Sequence, residues 1–484
     1  MSEPIQMRWE RLDKRMLLIH PITEIGRLAP LLIASLVIGL QSENPLWSLL
    51  GLGVVVGFAL LRWVTTTYRV SAERIELRSG LFARKLLSIP RSRIRSVDIE
   101  ANVLHRILGL AVLHVGTGSR AGEGEQFKLN ALSAGTVERL RRELLERPDA
   151  PEISSGGTEI GHWSPNWVRY APFSLTGLAI VAPLVAIPFQ YGAAQIVDDV
   201  VDRLPQVGIL AAVLVGLVTV VVVSTIASCV SYLLAYWDLR VLDDGKTLHT
   251  ASGLLTKRQV TLDLARLRGA SINLPLLVRL AGGAALETIM TGTVARKRVL
   301  PFGPRAEIER VVAHLLGDAA PYATTLTAHG PIALRRRFTR MLWPAAILVI
   351  GVGLLRPPWL AWVGVALALA GMAALAWDRY RGLGHAVLPG WLVTQSGSLA
   401  RDRDCVQAAG IIGWTVQQSW FQRRAGVATV IAATAAGRGF YRVIDLPVAQ
   451  AWDLVERVTP GAGDIWTRTA AGAPSLPDRD AAAR

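Results

Sequence analysis

Apolar and polar positions separate along this chain into long greasy runs and long mixed segments. From Leu204 to Trp237 stand 34 consecutive uncharged residues, mostly Val, Leu, Ile and Ala, beyond the roughly 20 an α-helix needs to cross about 30 Å of hydrocarbon. Further uncharged runs cover Tyr170–Val197, Pro357–Trp377 and Asn44–Leu61, of 28, 21 and 18 residues. Two more, Leu28–Ser42 and Met341–Leu355, have 15 each. A crossing there must recruit flanking turns such as Ile25–Arg27, with the arginine snorkelling outward. Short connectors join the runs in pairs: Ser42 to Asn44, Asp198 to Arg203, and Arg356. The pattern predicts six spans in three helical hairpins.

The mixed segments that follow the hairpins overlay without gaps when anchored on Ser79-Gly80, Ser252-Gly253 and Ser396-Gly397. Nine positions after each glycine stand Ile89, Leu262 and Val406, and at fourteen Ile94, Leu267 and Ile411. At twenty-six all three copies carry arginine (Arg106, Arg279, Arg423), and at twenty-nine all carry glycine (Gly109, Gly282, Gly426). Within a copy the period is short. Arg74-Ile75-Glu76-Leu77 alternates polar with apolar into the Ser-Gly turn, and Leu110–Val115 is a mostly apolar run. Each copy closes on a helical pattern. Ser133 and Thr136 offer caps before Val137, Leu140, Leu144 and Leu145; Pro304 leads Ile308, Val311, Val312 and Leu315; Pro447 leads Trp452, Val455 and Val458. The chain therefore holds one module, short strands ending in an amphipathic helix, written three times.

Composition agrees with a membrane protein. Hydrophobic residues make up 51% of the 484 and charged ones 18%, against about 45–50% and about 25% in soluble domains; mean hydropathy is +0.36. An ordinary soluble enzyme is a poor fit. The net charge of +15 gathers at the span flanks. Arg8, Arg11, Lys14, Arg15 and Arg27 precede the first pair and Arg62 and Arg69 follow it. Arg169 and Arg240 bracket the second, and Arg335, Arg336, Arg337, Arg340, Arg379 and Arg381 the third. By the positive-inside bias both termini and all three modules are expected on the cytoplasmic side. Glutamates and aspartates interleave with the arginines, as at Glu73, Glu76, Asp98 and Glu100. Tryptophans such as Trp163, Trp167, Trp237 and Trp377 sit near span ends or in linkers, where interfacial anchoring would place them. Nucleic-acid binding is not expected.

The hairpin followed by Tyr68-Arg69-Val70, Ser79-Gly80-Leu81, Ile89-Pro90, Arg93-Ile94, Leu104-His105-Arg106 and Leu108-Gly109-Leu110 resembles the bacterial pleckstrin-homology-like (YdbT-type) membrane protein family. The resemblance runs from about Trp9 to Val458 and thins in the third copy, where Val406-Gln407 replaces Ile-Pro. It implies a curved antiparallel sheet capped by a C-terminal helix in each module, and a shorter single-module relative as partner. The expected layout is an N-terminal segment and first hairpin over 1–67 and a first module over 68–147. A linker and second hairpin follow over 148–235 and a second module over 236–318. A linker and third hairpin occupy 319–380, a divergent third module 381–459 and a disordered tail 460–484.

Few positions offer chemistry. The eight histidines and two cysteines form no metal spacing, the Gly116–Gly124 stretch lacks the closing Gly-Lys-Ser/Thr of a phosphate loop, and no cofactor or catalytic constellation is expected. Arg84, Lys85, Arg91, Arg93 and Arg95 fall within twelve residues. They read either as a face for anionic headgroups or as a solvated strand edge. The repeated Arg106, Arg279 and Arg423, with Gly80, Gly253 and Gly397 and Gly109, Gly282 and Gly426, read as structural positions in which the arginine anchors a turn. The expected function is a multi-pass inner-membrane scaffold that presents three modules to protein partners, lipid headgroups or one another. A transporter or export subunit is the alternative.

Overall fold

The computed structural model describes residues 206–292, 297–355 and 358–462 continuously. It also describes most of 65–116, 127–136 and 157–188, with isolated positions nearer the N-terminus. The chain divides into two compact units, the first running to Arg266 and the second taking up nearly all of the chain from Leu267 on.

In the first unit, β1 (Glu10–Arg11), β2 (Thr67–Val70), β3 (Arg74–Ser79) and β4 (Lys85–Pro90) form an antiparallel sheet in that order. β5 (Ser96–Ala101), the one-turn helix α1 (Val103–Ile107), β6 (Leu110–Gly116) and β7 (Phe127–Ser133) complete the first module. The Asn102 side chain accepts the His105 N–H and so caps α1. Gly109, at φ +68°, ends the turn in a left-handed conformation. Tyr68, Ile75 and Ile89 from one sheet and Leu110, Leu113, Val115, Leu129 and Leu132 from the other are buried in one core. The alternation of Arg74–Leu77 thus becomes an inner face, with Ile75 opposite Ile89 across the strands.

Beyond this module the unit continues through β8 (Thr158–His162), a 3₁₀ stretch (Pro165–Ser174), α2 (Thr176–Pro188), α3 (Gln206–Tyr236), β9 (Arg240–Asp243), β10 (Thr247–Ser252) and β11 (Lys257–Asp263). Seven strands then make one sheet, in the order β7-β6-β5-β11-β10-β9-β8. The second half of the first module is hydrogen-bonded to the first half of the second.

The second unit repeats the arrangement. β12 (Leu267–Pro275), the one-turn α4 (Leu276–Leu280), β13 (Gly283–Met290), β14 (Lys297–Pro304) and α5 (Arg305–Leu316) close the second module. The short α6 (Ala320–Ala323), α7 (Gly330–Thr339), α8 (Leu342–Leu354) and α9 (Trp359–Arg381) follow. The third module has β15 (Gly384–Leu388), β16 (Trp391–Ser396), β17 (Ala400–Gln407), β18 (Ile411–Gln417), α10 (Trp420–Arg424), β19 (Val427–Thr434), β20 (Phe440–Pro447) and α11 (Val448–Val458). One sheet runs β14-β13-β12-β17-β16-β15 and a second β18-β19-β20. α11 buries Ala451, Leu454, Val455 and Val458 against Leu392, Val430, Val443 and Leu446, closing the third module's core. Pro304 and Pro447 stand at the N-caps of α5 and α11, where a missing N–H costs nothing.

Three helices, not six, among the described residues are long and apolar enough to cross a bilayer: Leu214–Tyr236, Gly330–Leu354 and Ala361–Arg381. The expected spans Leu28–Ser42 and Asn44–Leu61 lie outside the described residues, apart from Gly53 and Gly57. The run from Tyr170 is corrected by its own start, because Tyr170 and Ala171 are buried within the 3₁₀ stretch with Trp167. Only the 13-residue α2 follows within the described part. Met341–Leu355 gains length from an unexpected source, the arginine-bearing α7 that precedes it. Trp163 and Trp167 are not exposed anchors. Both are buried, and Trp163 packs on Trp237 with ring centroids 5.3 Å apart. Nor is the start of 148–235 wholly linker, since Thr158–His162 forms the edge strand beside β9.

Candidate functional site: the arginine joints

The three repeated arginines occupy the same place, the last turn of a one-turn helix (α1, α4, α10) followed by a left-handed glycine: Gly109, Gly282 and Gly426 at φ +68°, +77° and +65°. What they reach differs. Arg106 Nη1 donates to the Leu254 carbonyl at 3.1 Å, in the Ser-Gly turn of the next module. That turn is fastened to the end of α3, where Gly253 N–H donates to the Trp237 carbonyl at 2.9 Å and Leu254 N–H to the Leu234 carbonyl at 3.0 Å. Gly253 itself stands at φ +108°, with the Thr256 carbonyl oxygen 2.0 Å from where a Cβ would be. Only glycine closes this turn.

At the next joint Arg279 Nη2 donates to Asp378 Oδ1 at 2.8 Å, in the last turn of α9. Asp378 also accepts the Ser398 hydroxyl at 2.8 Å, and Arg401 Nη2 reaches its carboxylate and its backbone carbonyl at 3.0 and 2.9 Å. Ser398 and Arg401 follow Gly397, whose φ is +106°. One carboxylate at a helix end therefore holds the preceding module's arginine and the following module's Ser-Gly turn together. Arg423 is exposed, and its guanidinium has no partner among the described residues. Toward the N-terminus, Arg15 Nη1 donates to the Leu108 carbonyl at 3.0 Å, beside Gly109.

Gly80 and Arg84, Arg91, Arg93 and Arg95 lie outside the described residues, and Lys85 is placed only through its backbone in β4. Of the two histidines nearest in sequence, His105 turns onto Asn102 and His114 faces Glu100 at 3.4 Å. No cluster of three or more metal-ligating side chains occurs among the described residues.

Sequence reasoning missed a second constellation. Arg336 and Arg337, read from the chain as interfacial flank, are buried. Arg336 Nε meets Asp445 Oδ1 at 3.0 Å and Arg337 Nη2 meets Oδ2 at 3.0 Å. Asp445 is completely buried at φ +61° and also accepts Gln422 Nε2 at 2.8 Å. Next to it His329 Nδ1 faces the Ile444 carbonyl at 2.7 Å. The amphipathic α7, leading into the apolar α8, is thereby locked to the third module by buried charge. Only Asp445-Leu446-Pro447, an acid just ahead of a helix start, could have hinted at it. Nearby, burial pushes the Cys405 thiol up to about 12, against the pull of Arg403, so it stays protonated and inert. Burial and the hydrogen bond to Glu309 likewise push the Tyr322 phenol up to about 12.

These contacts join the modules to one another and to the helices between them. A curated relative, the UPF0699 transmembrane protein YdbT of Bacillus subtilis (strain 168), is 22% identical over 267 residues, covering 50% of this chain and 53% of the relative. The chain thus spans about half the length of that relative. No solved structure matches. The bacterial PH domain family matches three times, over residues 21–148, 176–319 and 344–459, and with matches covering more than half of its length the chain belongs to that family.

Proposed function

We propose that this membrane protein is a non-catalytic scaffold. Its helices hold three PH-like modules against the cytoplasmic face of the bacterial inner membrane, where the modules meet protein partners and anionic headgroups. The observation that carries the reading is the fastening of each described Ser-Gly turn to the end of the helix before it, by Gly253 and Leu254 on α3 and by Ser398 and Arg401 on Asp378 of α9. A module tied by several hydrogen bonds to a spanning helix cannot swing freely, which suits presentation at a fixed height. The basic stretch of Arg84, Lys85, Arg91, Arg93 and Arg95 supplies the headgroup contact, each charge contributing about 1 kcal/mol near an anionic surface and less as salt rises.

Single thiols at exposed positions of each module, Glu73→Cys, Lys257→Cys and Ala435→Cys, in a chain with Cys229→Ala and Cys405→Ala, test the reading. All three are expected to react with a membrane-impermeant maleimide only after the cells are opened. Labelling of any module from outside overturns the arrangement. Solute flux through vesicles holding the purified chain, above empty vesicles, overturns the scaffold role.

A further inference from the structure

At both described joints the sheet of one module continues into the next with an identical register. Lys257, four residues after its turn glycine, pairs with Ala101, and Arg401, four after its own, pairs with Leu274; Ala101 and Leu274 each stand twenty-one after theirs. The pairing strand is always the third of the following module (β11, β17), and the receiving strand always the fourth of the preceding one (β5, β12). One strand of each kind is left over. β18, the fourth strand of the third module, pairs only with β19 among the described residues, and β4, the third of the first module, only with β3. We propose that β18 of one copy pairs with β4 of a second copy in this same register, joining chains head to tail through the sheet.

Four observations support the second copy as occupant. Ile411–Gln417 contains no charge and no proline, the devices with which exposed strand edges normally prevent pairing. The register places Leu86 opposite Val416 and Ser88 opposite Trp414. Leu86 is 61% exposed on the free strand, whereas Val416 and Trp414 pack on the third module's core. Pairing would cover that leucine on an apolar flank. The third is Gly413. Its counterpart in β12, Gly269, is required by φ +154° and by the Cys405 carbonyl oxygen of the neighbouring strand, 2.0 Å from a Cβ. Gly413 has no such φ and nothing within 4 Å, so the room it keeps suits a strand from outside the chain. Arg423, without a partner among the described residues, stands where Arg106 and Arg279 each hold the next module. A contact of β4 with β18 is heterologous, so each added copy leaves one edge of each kind open, and the assembly grows to a ring or a row.

The proposal rests on the scaffold reading, which puts the first and third modules on one side of the membrane. Two differently tagged full-length chains lacking Cys229 and Cys405 are co-expressed, one with Leu86→Cys and the other with Val416→Cys. Facing cross-strand positions lie about 4.5–5.5 Å apart, within disulfide reach, so mild oxidation of the membranes should yield a covalent pair of copies. Replacing Val416→Cys with Thr415→Cys turns the thiol to the opposite face and should lower the yield roughly tenfold. Gly413→Val, which meets open space in the single chain, should lower it similarly while leaving the melting temperature unchanged. No adduct between copies, or equal yields from both thiol positions, overturns the proposal. An adduct of Val416→Cys with a different polypeptide, such as a shorter single-module protein, also overturns it, yet leaves the scaffold standing. Maleimide labelling of a module from outside the cell removes the scaffold itself.

Discussion

His329 Nε2 lies 3.1 Å from His385 Nδ1, with both rings buried where α7 meets the third module. His329 Nδ1 must donate to the Ile444 carbonyl, so its Nε2 accepts and His385 donates, and both rings are neutral. Burial, with His329 and Arg457 adding to it, brings the His385 pKa down to about 4. Burial lowers His329 too, with Arg337 adding to the effect and the Ile444 carbonyl and Asp445 opposing it. The unfolded chain therefore binds more protons than the folded one between about 4 and the ordinary histidine value near 6.5. Stability is full above that window and falls as the pH drops through it, by roughly 2 kcal/mol for His385 between pH 7 and 5. Melting of the purified chain should show this slope, and His385→Gln should flatten it. An unchanged slope in the variant would place the proton uptake elsewhere.

Asp445→Asn tests the buried charges. Asparagine tolerates the left-handed backbone that Asp445 adopts, so shape and φ are kept while the charge between Arg336 and Arg337 and one of the two acceptor oxygens are lost. Removing one partner of a buried pair costs about 3–5 kcal/mol, because the arginines stay buried without compensation. The melting temperature should drop, and amide exchange over 330–340 should accelerate as α7 loosens. A loss below about 1 kcal/mol would mean that the apolar core alone holds this helix.

Gly177 lets α2 lie against α3. Its N–H donates to Ser228 Oγ at 2.7 Å, and a Cβ there would stand 1.7 Å from the Ser224 carbonyl oxygen. A backbone carbonyl cannot rotate aside as a side chain can, so Gly177→Ala must part the helices, at a cost of about 1–3 kcal/mol. Ser228→Ala, which loses one hydrogen bond and adds no bulk, should cost about 1 kcal/mol. Equal melting of the two variants would show that the close approach contributes nothing.

Local pattern made the modules legible. Alternation at Arg74–Leu77, the glycines of the Ser-Gly turns and the prolines ahead of α5 and α11 act within a few residues, and their period shows along the chain. The joints left no such trace, because a strand that pairs with one far away keeps the same alternation whichever neighbour it finds. The flank Arg335-Arg336-Arg337 was legible as charge but not as burial: what takes two of these side chains out of water is Asp445, which only the fold brings near. The tryptophan pattern misled for the same reason, as Trp163 and Trp167 stand close to a span in sequence yet fill a core.

The repeated arginines should differ in effect although they share one place in the repeat. Arg106→Ala removes one exposed hydrogen bond to the Leu254 carbonyl, worth about 0.5–1.5 kcal/mol. Arg279→Ala removes a half-buried ion pair from Asp378 and leaves Arg401 and Ser398 to hold the joint, so its cost should be larger, about 2 kcal/mol. Arg279→Lys should recover little of it, since an ammonium lacks the planar fork that reaches Asp378 while its stem packs in α4. Arg423→Ala, with no partner among the described residues, should stay within about 0.5 kcal/mol. Thermal unfolding of the four variants gives the order. If Arg423→Ala destabilises as much as Arg279→Ala, the arginine serves its own module's turn, and the joints are held by the Ser-Gly turns alone.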